Sequence, residues 1–181
     1  PPGGPFHDAL VQPDRPTALL ASASRVPAAR DQVLRSLVGS VAAAYPEARR
    51  GAAPGAGAPG VPDLVVLPEG AWPHAISVEP LSTLPAASLA ALEGLPTTLL
   101  GAPGLTARGG NTNSAFLWAN GALEHAYAKL HLVPVGEAAL EVGAAASPVQ
   151  VPTSSASRLS VAPSICYDVA FAATARRAVL A

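Results

Sequence analysis

Residues 63–67 read Asp-Leu-Val-Val-Leu, and this run constrains the fold more than any other feature of the sequence. Consecutive aliphatic residues in so short a segment, bounded by prolines, are typical of a strand that is buried on both faces. A sheet that contains such a strand has to be covered on both sides by other layers. The run therefore favours an α/β fold with a parallel strand near its centre.

Short apolar strands alternate with helical patterns along the rest of the chain. The clearest helix is predicted over residues 28–45, where apolar side chains recur at intervals of three and four. The dipeptide Asn120-Gly121 between two apolar runs is the strongest short-range signal for a hairpin, and it predicts an antiparallel pair. The hairpin strands are predicted over 113–120 and 122–127, other strands over 8–12, 97–101 and 159–165, and other helices over about 86–93 and 169–180. The predicted fold class is α/β with a mixed sheet.

Length and composition limit the classes of protein that the chain can belong to. A length of 181 residues predicts one domain with its own core. We interpret residues 1–5 (PPGGP) as a linker or cut end and residues 51–60 (GAAPGAGAPG) as a flexible loop. A formal net charge of −1 and the absence of a long basic run disfavour nucleic-acid binding. The chain has no initial methionine, so we expect a processed product or a fragment. No stretch resembles a membrane span or a signal peptide.

Three residues that can carry chemistry follow predicted strands or stand out by their rarity. Glu69 follows the aliphatic run, and open α/β folds bind their ligands at the carboxyl ends of parallel strands. Cys166 is the single cysteine, and Lys129 is the single lysine among 11 basic residues. A carboxylate base and a compact ammonium could activate the thiol and stabilise an oxyanion, together with the backbone N–H of Tyr167. Each residue alone also has a structural explanation, as a solvated glutamate, a surface lysine or a buried inert cysteine.

In chain order, three segments resemble the signature segments of the nitrilase, or carbon-nitrogen hydrolase, superfamily. They are a glutamate segment (residues 67–69, LPE), a lysine segment (residues 127–137, YAKLHLVPVGE) and a cysteine segment (residues 165–168, ICYD). The resemblance implies a nitrilase-like α-β-β-α sandwich with Glu69 as general base, Lys129 as oxyanion stabiliser and Cys166 as nucleophile. Because the family has further strands after the cysteine, the resemblance also predicts that residues 1–181 are a partial domain, incomplete at the C-terminus.

Residues 131–137 (HLVPVGE) look most like the apolipoprotein N-acyltransferase branch of that superfamily. This resemblance implies transfer of a fatty acyl chain from a phospholipid to the N-terminal cysteine amine of a lipoprotein, through a thioacyl intermediate on Cys166. It implies supporting roles for Glu137 and Tyr167, and no cofactor. The full-length protein would lie in the cell membrane through segments absent from this chain, with its catalytic domain on the periplasmic or extracytoplasmic side.

Asp168 departs from that branch, whose members usually have glutamate after Cys-Tyr. Cys-Tyr-Asp is common in soluble amidases of the superfamily, so a cytoplasmic amidase that hydrolyses a small C–N amide with the same triad is an alternative. An inactive, truncated fragment is a second alternative. Trp72, three residues after Glu69, is a candidate for the lining of an acyl pocket. The four histidines are too scattered in the sequence to predict a metal site.

Overall fold

The computed structural model describes residues 6, 8–12, 23, 25–45, 61–78, 84, 86–93, 95–145, 147–153 and 158–180. The predicted linker at 1–5 and the predicted flexible loop at 51–60 lie outside these residues. Within the described part, helices cover one face of a mixed sheet and a two-stranded sheet covers part of the other.

The mixed sheet has six strands. They are β1 (Asp8–Leu10), β2 (Leu64–Val66), β3 (Ile76–Ser77), β4 (Thr98–Leu105), β5 (Asn111–Ala119) and β6 (Ala122–Ala128). Their order is β1-β2-β4-β5-β6; β1, β2 and β4 run parallel, and β5 is antiparallel to both β4 and β6. β3 pairs in parallel with β4 beyond the part of β4 that pairs with β2. The α/β class and the mixed sheet predicted from the sequence are confirmed.

Two helices, α1 (Pro27–Ala44) and α2 (Ala86–Leu92), pack on one face of this sheet. The buried residues of α1 form the apolar stripe that predicted the helix, namely Val33, Leu34, Leu37 and Val41. In the main core the helices meet sheet residues that include Val65, Leu100, Phe116 and Trp118. Burying one such side chain contributes about 1.5–3 kcal/mol. The apolar contacts of this core therefore hold the two helices on this face of the sheet.

The opposite face of the sheet packs against β7 (Val149–Pro152) and β8 (Arg158–Val161), which pair with each other in antiparallel fashion. Val149 and Val151 of β7 lie in a smaller core with Leu64 and Leu117 of the main sheet. β7 was not predicted, because four residues with a proline at one end carry too short a pattern to distinguish from a loop. The same holds for the two residues of β3.

The segment that leads to Cys166 differs from its prediction. The strand expected over 159–165 ends at Val161, because Pro163 has no N–H to donate to a ladder. The helix expected over 169–180 is a 3₁₀-helix (Cys166–Ala170) followed by α3 (Ala172–Leu180). An irregular segment therefore delivers the cysteine, and not the end of a strand.

The hairpin forms where Asn120-Gly121 predicted it. The φ angles of these residues are +51° and +77°, as the two central residues of a type I′ turn require. Near Leu117 the pairing of β5 with β6 shifts by one residue at a β-bulge. Beyond the bulge, the N–H of Lys129 donates to the carbonyl oxygen of Asn113 at 2.8 Å, so these two residues become neighbours.

Candidate active site

Glu69 lies exposed in a loop that leaves the sheet between two fixed points on β4. The backbone N–H groups of residues 67 and 72 each donate a 2.9 Å hydrogen bond, to the carbonyl oxygens of Leu99 and Gly101. The loop passes so close to β4 that a Cβ at Gly101 would lie 2.5 Å from the Pro68 oxygen and 2.8 Å from the Glu69 Cα. Glycine at this position therefore lets β4 hold the loop that carries the glutamate.

Lys129 directly follows β6, and only 1% of its surface is exposed. Its ammonium donates to both carboxylate oxygens of Glu137, at 2.8 and 2.7 Å. Burial alone would lower the pKa of Lys129, but the hydrogen bond and charge of Glu137, with the charges of Glu69 and Cys166, raise it. Lys129 is therefore a buried ammonium that keeps its charge at neutral pH.

Glu137 accepts two hydrogen bonds at each carboxylate oxygen. Oε1 accepts from the side chains of Lys129 and Asn113, at 2.8 and 2.9 Å. Oε2 accepts from Lys129 at 2.7 Å and from the N–H of Val133 at 2.8 Å. The hydrogen bond from Lys129 lowers the pKa of Glu137 most; burial opposes it, and the bonds from Val133 and Asn113 add to it, so the pKa falls to about 2. With its acceptor sites occupied, Glu137 is not suited to take a proton near neutral pH.

Cys166 is exposed at the first position of the 3₁₀-helix. Its φ of +47° lies in the left-handed region, which residues with a Cβ rarely adopt. Ile165 before it is extended, with φ −115° and ψ 116°, so the backbone turns sharply at the cysteine. This turn leaves Cys166 accessible, and the alternative of a buried, inert cysteine is wrong.

Asp168, 1% exposed, joins the lysine segment to the cysteine segment. Its Oδ2 accepts hydrogen bonds from the Tyr127 hydroxyl at 2.6 Å and from the N–H of Ile165 at 3.3 Å. Its Oδ1 accepts from the N–H groups of Leu130 at 3.2 Å and His131 at 2.8 Å. Burial, and then the hydrogen bond and charge of Asp168, raise the pKa of Tyr127, so the hydroxyl remains a donor. One buried carboxylate thus fixes the spacing between the two segments.

A cavity of about 200 Å³ has both Glu69 and Cys166 in its lining. Most of the remaining lining is apolar and includes Leu99, Ala115 and Ile165. Lys129 is near enough that the charges of the glutamate and the cysteine both raise its pKa. The fold therefore brings Glu69, Lys129 and Cys166 together at one site, on the sheet face opposite the helices. Their catalytic roles stay predictions.

Trp72 and Tyr167 are placed differently from these three residues. Trp72 is fully buried in the main core and is not in the lining of the cavity, so the structure does not place it in an acyl pocket beside Glu69. Its ring packs on the helix side of the sheet, whereas the cavity opens on the other side. Tyr167 is 41% exposed, and its ring meets Phe171 edge-on with centroids 5.2 Å apart.

Asn113 is a site residue that the sequence analysis missed. Its side-chain nitrogen donates to Glu69 Oε1 at 2.6 Å and to Glu137 Oε1 at 2.9 Å. Two sequence features could have indicated it. The predicted strand begins with polar residues, and a two-residue turn at 120–121 would place residue 113 opposite residue 128 or 129. The β-bulge near Leu117 decides between these two positions in favour of Lys129, and a bulge has no clear signature in this sequence.

His131 lies at the edge of this site, where it contacts Asp168 and Phe171. Its Nδ1 lies 3.0 Å from Asp168 Oδ1, and its ring stacks on Phe171 with centroids 3.7 Å apart.

Across the described residues there is no cluster of three or more His, Cys, Asp or Glu side chains that could hold a metal ion. The described helices are also too short or too polar to cross a bilayer.

Comparisons of the sequence with family models and with curated proteins find no match. Solved structures do match. XC1258 from Xanthomonas campestris, a CN-hydrolase superfamily protein with an arsenic adduct in its active site, has a TM-score of 0.57 at 20% identity, over 92% of this chain and 55% of its own. A carbon-nitrogen hydrolase from Helicobacter pylori G27 has a TM-score of 0.57 at 16% identity, over 97% of this chain and 56% of its own. Nit3 from Saccharomyces cerevisiae, of branch 10 of the nitrilase superfamily, has a TM-score of 0.54 at 20% identity, over 94% and 58%.

These similarities concern the fold. They confirm the nitrilase-like architecture that the three sequence segments predicted. The chain spans a little more than half the length of each of these three structures.

Proposed function

Taking the nitrilase fold as a starting point, we propose that this chain carries a cysteine-dependent acyl-transfer site. Cys166 is the nucleophile, Glu69 the general base and Lys129 the oxyanion stabiliser. The observation that carries the proposal is the shared cavity, which is lined by both Cys166 and Glu69. The buried ammonium of Lys129 lies near enough to interact with the charges of both. A free thiol has a pKa of about 8.5 and needs such a base or cation to act as a nucleophile at neutral pH.

The first half-reaction forms a thioester. The sulfur of Cys166 attacks the carbonyl carbon of the donor while its proton passes to Glu69. Lys129 stabilises the negative oxygen of the tetrahedral intermediate, together with the backbone N–H of Tyr167. Two of the three ammonium hydrogens of Lys129 bond to Glu137, which leaves the third for that oxygen. The bond to the leaving group then breaks, and the leaving group takes the proton from Glu69.

The second half-reaction moves the acyl group to an acceptor. An amine or a water molecule attacks the thioester carbonyl and gives a proton to Glu69. The carbon–sulfur bond then breaks, and the thiolate of Cys166 takes that proton from Glu69 and becomes a thiol again. The identity of the acceptor decides whether the enzyme is a transferase or a hydrolase.

We favour an amine as acceptor, because residues 131–137 resemble the apolipoprotein N-acyltransferase branch. The donor would be a phospholipid and the acceptor the N-terminal cysteine amine of a lipoprotein. The full-length protein would then lie in the cell membrane with this domain on the extracytoplasmic side. Glu137 holds the ammonium in place within this mechanism, and Tyr167 supplies the N–H beside the nucleophile.

An amidase is the second candidate, and Asp168 favours it, because Cys-Tyr-Asp is the form common in soluble amidases of the superfamily. The matching structures include carbon-nitrogen hydrolases, which agrees with this candidate. Water would be the acceptor and a small amide the donor. Such an enzyme would act in the cytoplasm.

Acylation of Cys166 by p-nitrophenyl butyrate tests the site itself. Release of p-nitrophenolate gives the rate, and the mass of the intact protein shows the butyryl group. We expect Glu69→Gln to slow acylation by about 10²-fold or more, because the base is lost. Glu93→Gln changes an exposed glutamate at the end of α2 and serves as the matched control. Wild-type protein acylated no faster than unfolded protein would contradict the proposal and favour an inactive fragment.

The fate of the butyryl enzyme separates the two candidates. A peptide with an S-alkylated N-terminal cysteine is added, and the peptide mass is followed. Butyrylation of its amino group faster than hydrolysis supports the N-acyltransferase. Ammonia release from butyramide, with no transfer to the peptide, supports the amidase.

A further inference from the structure

We propose that Asn113 is a positioning residue that gives the two glutamates of the site different roles; this inference rests on the proposed acyl-transfer function. Its side-chain nitrogen donates to Glu69 Oε1 at 2.6 Å and to Glu137 Oε1 at 2.9 Å. An asparagine amide has two N–H hydrogens, so each carboxylate receives one of them. The Asn113 amide therefore links the loop that carries Glu69 to Glu137, the partner of Lys129.

Asn113 itself lies in a rigid part of the molecule. It belongs to β5, which pairs with β4 on one side and β6 on the other. Its carbonyl oxygen accepts the backbone N–H of Lys129 at 2.8 Å. Glu69, in contrast, is exposed in a loop, where its side chain would lose rotational freedom only through a specific contact. Asn113 supplies that contact from the sheet.

The two carboxylates differ in how many donors reach them. Glu137 receives hydrogen bonds from Lys129, Val133 and Asn113 on its two oxygens. Among the described residues, the Glu69 carboxylate receives one hydrogen bond, on Oε1 from Asn113, and none on Oε2. Glu69 is thus held by one oxygen and keeps the other for the thiol proton. Glu137 is held by both and serves Lys129.

The chemistry of residue 113 decides whether this contact can form. An amide donates one hydrogen to each glutamate, whereas alanine donates none. An aspartate at this position would have no hydrogen to donate and would place a third negative charge beside Glu69 and Glu137. Glu69 would then lose the contact that holds it from the sheet.

The test is the rate of Cys166 acylation by p-nitrophenyl butyrate at neutral pH. We expect Asn113→Ala to lower this rate by about tenfold or more, because the base is no longer held in position. Asn113→Asp, which keeps the shape of the side chain but replaces its donor by a charged acceptor, should lower the rate further. Asn111→Asp makes the same change at an exposed position of β5 and should behave as wild type. An unchanged rate in both Asn113 variants would overturn the proposal.

A double-mutant cycle separates positioning from a general loss of structure. If Asn113 acts through Glu69, Asn113→Asp should have little further effect in a Glu69→Gln background. Equal effects in both backgrounds would overturn the positioning role. Failure of the proposed function looks different, because wild-type protein would then be acylated no faster than unfolded protein. Acylated wild-type protein with wild-type behaviour of the variants overturns this inference alone.

Discussion

Lys129 is the single lysine among 11 basic residues, and its contacts explain why arginine would not replace it. A compact ammonium can donate to both oxygens of Glu137 and still aim a third hydrogen elsewhere. A guanidinium is planar and larger, and it would use two of its N–H groups in a bidentate contact with the carboxylate, in a plane that leaves no donor aimed at the cavity. The side chain is almost fully buried, so there is little space for the larger group.

We predict that Glu137→Gln destabilises the protein by about 3 kcal/mol, because it leaves the ammonium of Lys129 buried without a counter-charge. The side chains of the pair are 1% and 14% exposed, so water can compensate only a small part of the loss. Urea unfolding of the variant and the wild type measures the effect.

Glu141→Gln provides the matched control for this prediction. Glu141 lies four residues further along the chain and is exposed, so the same substitution should change stability by less than about 0.5 kcal/mol. Equal stability of Glu137→Gln and Glu141→Gln would show that the ion pair with Lys129 contributes nothing to the folded state.

At the scale of elements, the site depends on the close approach of the Glu69 loop to β4. We predict that Gly101→Ala destabilises the protein by about 1–3 kcal/mol and slows acylation of Cys166, because the new Cβ would lie 2.5 Å from the Pro68 oxygen. The loop would have to move, and Glu69 with it. Urea unfolding and the p-nitrophenyl butyrate assay measure the two effects.

Gly39→Ala is the control for that substitution. Gly39 lies within α1, and a Cβ there would have nothing within 4 Å. Alanine in a helix is favoured over glycine, so we expect stabilisation by about 0.5–1 kcal/mol and unchanged acylation. A similar loss of stability in both variants would contradict the packing argument for Gly101.

Asp168 connects the end of β6 to the 3₁₀-helix, and we predict that Asp168→Asn weakens this connection by at least about 2 kcal/mol. An amide has one acceptor oxygen, so the donors now bonded to Oδ1 and Oδ2 could not all be satisfied. Thermal unfolding should show the loss, and iodoacetamide should label Cys166 at a changed rate. Asp31→Asn, at an exposed position of α1, is the control, and an equal effect there would refute the role of Asp168.

At the scale of the whole molecule, the Lys129–Glu137 pair predicts how stability depends on pH. The pKa of Glu137 falls from 4.5 to about 2 on folding, so its stabilisation is complete above about pH 4.5 and is lost as the pH falls towards about 2. The pKa of Lys129 is raised, so its stabilisation is complete below about pH 10.5 and is lost as the pH rises through its higher value in the folded state. Urea unfolding between about pH 6 and pH 2 should show the difference between wild type and Glu137→Gln shrinking below about pH 4.5. A constant difference down to about pH 2 would contradict this assignment.

Much of the fold could be predicted from local sequence. The stripe of α1 has a helical period, and Asn120-Gly121 has the backbone freedom that a two-residue hairpin turn needs. β3 and β7 could not be predicted, because their own patterns are too short, and the partner of β3 in β4 lies beyond an intervening helix. The apolar run predicts a strand up to residue 165, but β8 ends at Val161, because Pro163 has no N–H to donate to the ladder.

The site was predictable to the extent that its chemistry is concentrated in rare residues. The sequence predicts Glu69, Lys129 and Cys166 as site residues, and the fold brings them together. Asn113 was missed because its importance depends on strand register. Nearness to Glu69 in sequence predicts that Trp72 lines the pocket, yet the chain crosses to the other face of the sheet within three residues.

The β-bulge near Leu117 determines which residue of β6 lies opposite each residue of β5 at the site. Without it, residue 113 would face residue 128, and Lys129 would turn to the helix side of the sheet, because neighbouring residues of a strand point to opposite faces. A deletion of one residue between the bulge and Lys129 would thus separate the ammonium from Glu137 and from the site. Single insertions and deletions in this part of the hairpin are therefore expected to lower stability and abolish acylation of Cys166, and a compensating second change is expected to restore both.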